Sequence, residues 1–132
     1  MDIQLEIESV LKFKTWAIVG LGNNPERAAF DVALILQEKG HRIIPVNPRG
    51  ESVHGETGYK SLKEIPESVD VVDCFVNSTR VGAVVDEAIS IGAKAVWLQL
   101  DVIDEAAKQR AEVAGLIAIM NRCPAIEYRK LN

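Results

Sequence analysis

The segment TWAIVGLGNNPER, residues 15–27, runs from an apolar stretch through Gly20-Leu21-Gly22 and two asparagines to Pro25 and Arg27. A glycine has no Cβ, so a ligand can come close to the backbone there. The start of the helical pattern that follows would supply free N–H groups and the positive end of a helix dipole. Arg27 adds a full positive charge. Donors without side chains, a helix start and a cation together suit a phosphate, and a diphosphate best of all. A Gly-x-Gly alone also occurs in plain tight turns. Its place directly after a first buried strand is what favours the phosphate.

The next residues bear on which nucleotide that phosphate belongs to. A dinucleotide fingerprint has a third glycine and an acid at the end of the second strand, where it holds the ribose hydroxyls. Here Ala28 and Ala29 lie near the third-glycine position, and the second strand ends Val46-Asn47-Pro48-Arg49 with no acid. NAD is disfavoured. Arg49 is either a solvated loop charge or a partner for a phosphate on the ribose, as in NADP or coenzyme A. A phosphate-loop NTPase is excluded, because no Gly-Lys-Ser/Thr occurs.

Acyl transfer would need a nucleophile beside a base, and no such pair is evident. His41 starts the second strand, at the wrong end of a sheet for ligand binding. His54 lies in the long loop after that strand and is expected to be a satisfied or solvated loop histidine. Cys74 falls inside a strand and reads as core. Cys123 follows the fifth strand at the binding edge, where a mixed disulfide with a ligand thiol is conceivable and a structural cysteine before Pro124 is the plainer reading. Asp70, Asp73, Asp101 and Asp104 form no metal signature. Asp73 stands inside an apolar strand, and a backbone N–H or a basic group is expected to satisfy it.

The elements that must position these residues follow from the apolar spacing. Ile3, Ile7, Val10 and Leu11 predict a short opening helix. Buried strands are expected over 15–20, 42–46, 69–76, 93–100 and 116–120. Between them come helices: one capped by Asn24 with Pro25 in its first turn and closed by Gly40, one capped by Ser78 and closed by Gly92, and one capped by Asp101 and closed by Gly115. The strands are continuously apolar and alternate with helices, which marks a parallel sheet covered on both faces. The expected fold is α/β: a Rossmann-like, doubly wound, five-stranded parallel sheet of order 3-2-1-4-5 in a single domain, residues 1–132. Ligands would then bind at the carboxyl ends of the strands, near the switch point between strands 1 and 4.

Composition fits that frame. The chain has 132 residues, 48% of them hydrophobic and 5% aromatic. Its net charge of −4 argues against a general nucleic-acid surface. No apolar run approaches the ~18 residues that span a bilayer, and the acidic amphipathic start does not fit a secretory signal. Two distant cysteines without metal spacing suit a reduced, cytoplasmic protein. Homodimerisation is compatible with so small a domain.

The blocks WAIVGLGNNPERAAFDVALIL, GHRIIPVNPRGESVHGETGYKSLKEIPESVDVVDCFVNS, AISIGAKAVWLQL and MNRCPAIE resemble the small single-domain CoA-binding proteins, whose fold is similar to the CoA-binding domain of the succinyl-CoA synthetase alpha subunit. The match runs from about Thr15 to Glu127. The resemblance implies coenzyme A or an acyl-CoA laid across the carboxyl edge of the sheet, and no established reaction, since the synthetase's catalytic histidine segment is missing. It puts the diphosphate and nucleotide against Gly20, Leu21, Gly22, Asn23, Pro25 and Arg27. Val46, Asn47, Pro48 and Arg49 would serve the adenosine side. Phe75, Val76, Asn77 and Ser78, with Trp97 and Gln99, would line the rest of the groove, and Met120, Asn121, Arg122 and Cys123 end strand 5.

The chain departs from the family pattern in places. Gly20-Leu21-Gly22 replaces a usual Gly-Ala-Ser, removing a hydroxyl. Ala29 replaces a glycine, and Val76 replaces an arginine. Asp101 stands where glycine is common and Asn121 where aspartate is common. The reading is therefore a non-catalytic CoA or acyl-CoA binder. An NADP-binding, oxidoreductase-like protein and a ligand-free module working through an unknown protein partner are the alternatives.

Overall fold

A computed structural model of the chain describes residues 2–131. Five strands form one parallel sheet: β1 (Thr15–Val19), β2 (Arg42–Val46), β3 (Val71–Cys74), β4 (Ala95–Leu98) and β5 (Ile117–Ile119). Five helices surround it: α1 (Ile3–Leu11), α2 (Ala28–Glu38), α3 (Val81–Ser90), α4 (Glu105–Val113) and α5 (Pro124–Lys130). A single 3-10 turn, Leu62–Glu64, interrupts the long β2–β3 connection.

Alternate side chains of each strand go to opposite layers. Trp16, Ile18, Ile43, Val71, Trp97 and Ile119 pack under α1, α2 and α5. Ala17, Ile44, Val72, Cys74, Val96 and Leu98 pack under α3 and α4. With both faces covered, the strands are apolar throughout, as the sequence required. Gly40, Gly92 and Gly115 follow α2, α3 and α4 with φ of 96°, 76° and 94°, the left-handed residue that closes a helix.

The Rossmann-like class stands, but the strand order is β2-β1-β3-β4-β5, not 3-2-1-4-5. Pro45 explains the difference. Its carbonyl accepts from the Tyr59 N–H on the outer side of β2, so its missing N–H belongs to that same side. A strand placed there would lack a ladder donor, whereas an edge strand tolerates the proline. β3 therefore returns to the far side of β1, pairing Ile18 with Asp73, and the switch point lies between β1 and β3 rather than between strands 1 and 4.

The helix starts also differ from expectation. α2 begins at Ala28, behind a turn in which the Asn24 side chain accepts from the Glu26 N–H (2.9 Å). Arg80 and Asp104, not Ser78 and Asp101, precede α3 and α4. Asp101 instead has φ +66° in the loop ahead of α4. α5, which the apolar spacing did not announce, has Pro124 in its first turn.

Candidate functional site

The carboxyl ends of β1, β2 and β3 open into a groove of about 1440 Å³, larger than the ~300–1,000 Å³ of ordinary small-ligand pockets. Its centre is the loop after β1. Gly20 donates its N–H to the Val46 carbonyl (2.8 Å) and has φ +97°. A Cβ there would run into the Phe75 carbonyl oxygen, so this glycine is fixed by the close approach of two protein loops. Gly22 is different: no atom lies within 4 Å of where its Cβ would be, and it lines the groove.

Beyond Gly20 the backbone of Gly22, Asn23 and Asn24 borders the groove, while Leu21 is fully buried. Among the described residues, nothing accepts from the N–H groups of Leu21, Gly22, Asn23 or Asn24. The bend is held from behind. The buried Asn47 side chain donates to the carbonyls of Leu21 (2.9 Å) and Glu51 (3.0 Å) and accepts from the Glu51 N–H (2.8 Å). Asn23 donates to the Ser52 carbonyl (2.9 Å). The glycine loop and the loop after β2 are thus one hydrogen-bonded unit.

Charge gathers on this groove despite the acidic chain. Arg27, Arg49, Lys60 and Arg80 line it, against Glu51 and Glu87. None of the four cations enters an ion pair among the described residues. Glu87 accepts from the Leu62 N–H (3.2 Å), tying α3 to the 3-10 turn. Val19, Val46, Phe75, Val76 and Val84 give the groove an apolar floor, a surface suited to the flat face of a base.

Of the residues singled out from the sequence, the groove brings together Gly20, Gly22, Asn23 and Arg27 from the first loop. It adds Val46, Asn47, Pro48 and Arg49 from the second, and Phe75, Val76 and Asn77 from the third. Leu21 is fully buried and does not line the groove. Pro25 and Ser78 stand outside. Ser78 accepts from the Ile103 N–H (2.8 Å), bracing the loop after β4.

The β4 and β5 ends are built for other work. Trp97 is core, its indole N–H donating to the Arg122 carbonyl (2.9 Å). Met120 packs on the α3–α4 layer. Asn121, at φ +60°, accepts from the Asp101 N–H (2.8 Å). Cys123 is buried at the start of α5. The groove runs instead towards Lys60, Ser61, Thr79 and Arg80. No local motif in the sequence flags these residues. Lys60 reaches the site only because Tyr59 bridges to Val46, 13 positions earlier.

The titratable groups inside the fold do not face the groove. His54 bonds the Phe30 carbonyl (2.8 Å) and packs against its ring. His41 bonds Tyr128 at the opposite edge, and burial holds its pKa below the usual histidine range. Burial pushes the Cys74 thiol well up, with Asp73 adding to the effect. Asp73 is completely buried between Ile18 and Trp97. One oxygen accepts from the Gln99 side chain and the other has no partner. Its partner is thus a side-chain amide, and no basic group bonds it among the described residues. Burial pushes its carboxyl up to about 8, only partly offset by the Gln99 amide. Gln99 is spoken for by this pair and lies outside the groove.

Comparison with known proteins finds the same architecture. The family described as CoA binding domain matches residues 14–129. The chain is 34% identical over 124 residues to the uncharacterized protein YneT of Bacillus subtilis (strain 168), covering 93% of this chain and 92% of that one. It is 37% identical over 81 residues to the acetate–CoA ligase [ADP-forming] II subunit alpha of Pyrococcus furiosus, covering 61% of this chain and 18% of that subunit. A hypothetical protein from Pyrococcus horikoshii OT3 superposes with a TM-score of 0.92 at 37% identity, over 99% of this chain and 92% of that one.

Proposed function

The chain belongs to the CoA binding domain family, and from that premise we propose that it is a non-catalytic binder of coenzyme A or an acyl-CoA. The diphosphate sits on the N–H groups of residues 22–24, with Arg27 beside it. Arg49 and Lys60 face the phosphorylated ribose, and the base lies on the apolar floor. The observation that carries this reading is the run of three successive backbone donors without acceptors, Gly22 to Asn24, on a groove edged by four cations that enter no ion pair among the described residues. Charge-assisted hydrogen bonds of that kind are worth ~1.5–3 kcal/mol each. Neither histidine and neither cysteine lines the groove. Two buried free cysteines suit a reducing, cytoplasmic setting.

Isothermal titration tests the reading directly. Coenzyme A is expected to bind, and dephospho-CoA about tenfold more weakly, having lost the phosphate that Arg49 and Lys60 would meet. Binding of NADPH with coenzyme A silent would overturn the assignment.

A further inference from the structure

We infer that Asn47 is the positioning residue of the anion cradle, setting the direction of the Gly22 N–H without touching ligand through its own amide. This rests on the proposed diphosphate site and says which side chain creates it.

Asn47 is 6% exposed, and its side-chain hydrogen bonds point backwards into the protein. Both donors are used, to the Leu21 and Glu51 carbonyls, and its oxygen accepts from the Glu51 N–H. Only an amide can do this: two carbonyls demand a nitrogen, and a backbone N–H demands an oxygen. An aspartate has the same shape but would set a carboxylate against two carbonyl oxygens.

The consequence runs through the peptide plane. In a trans peptide the C=O and the N–H point in opposite directions. Holding the Leu21 carbonyl towards the interior therefore aims the Gly22 N–H at the groove. The fully buried Leu21 side chain removes the remaining freedom on its side. No atom lies within 4 Å of where a Gly22 Cβ would be, and among the described residues the Asn47 amide makes the one hydrogen bond to that peptide plane. The same side chain closes the Asn47–Glu51 turn and thereby places Arg49. One buried amide thus sets both the neutral donors and a cation that face the ligand.

The test is amide NMR on the full chain with inorganic pyrophosphate and, separately, coenzyme A. In the wild type both probes are expected to shift the Gly22 and Asn23 amide signals. Asn47→Asp is expected to keep the dispersed spectrum of the folded sheet, lose the Gly22 response to pyrophosphate, and bind coenzyme A at least about tenfold more weakly. If Asn47→Asp does not fold, Asn47→Ser replaces it, since a serine hydroxyl can serve Glu51 but is too short to reach Leu21. A variant that retains the Gly22 response and binds coenzyme A within about twofold of wild type overturns the inference and leaves the CoA reading intact. A wild type that responds to pyrophosphate but not to coenzyme A overturns the CoA reading alone. A wild type that responds to neither overturns both.

Discussion

Ionising Asp73 would place a bare charge between Ile18 and Trp97, so the folded protein holds this carboxyl in its neutral form well into the physiological range. An unfolded chain releases the proton near the ordinary value of 3.8, the folded one at about 8. Between those values the folded state carries one extra proton, so the stability due to Asp73 is complete below about pH 4 and is lost as pH rises towards 8. Asp73→Asn keeps an oxygen for Gln99 and has no charge to lose. Urea unfolding should show the variant gaining on wild type from pH 5 to pH 8, by on the order of a few kcal/mol; equal curves at both pH values would refute a buried neutral acid. His41 titrates in both proteins and cancels from the difference.

Gly20 offers a second test at this scale. With φ +97° and the Phe75 carbonyl where a Cβ would go, Gly20→Ala should destabilise by more than ~2 kcal/mol in denaturant unfolding. Gly22→Ala, facing open space, should leave stability within ~1 kcal/mol. The need for both glycines was legible in the sequence, but the reason for each was not. Spacing suggested that ligand approach explained the two alike, and the coordinates give Gly20 to the β3 loop. The partner of Asp73 was equally hidden, because Gln99 is 26 positions away and meets it only across the β3–β4 pair.

At the scale of elements, the apolar runs located all five strands to within a few residues, and the glycines closed the helices where expected. Strand order was misread because β2 and β3 were taken as neighbours. Pro45 carried the contrary signal, since a prolyl residue in a five-residue strand belongs at a sheet edge. Pro45→Val should accordingly change the unfolding free energy by no more than about 1 kcal/mol. A much larger gain in a urea titration would show that a backbone donor is wanted on that side after all. Capping was misread for a related reason. Asn24, Ser78 and Asp101 are all good cap types, but each is employed one turn early, in the loops that shape or brace the binding edge.

For the whole molecule, the groove is a product of topology more than of any single motif. Lys60 and Arg80 come from segments that share no pattern with the glycine loop, and only the wound chain brings them into the same groove as Arg27. Cations set in a −4 protein should make binding of a polyanion sensitive to salt. Coenzyme A at 100 times its dissociation constant should stabilise the fold by about 2.7 kcal/mol. For a domain of this size that is a rise of roughly 5–15 °C in melting temperature, measurable by thermal shift; no rise at saturating ligand would count against a specific site.

Every residue that borders the groove falls between Val19 and Glu87. The final two strands, with α4 and α5, supply the buttress and none of the lining. Selection can therefore act on the two parts separately: relatives are free to alter heat tolerance through changes after Ser90 while recognition stays put, or to retune their cargo in the earlier segments without rebuilding the support beneath.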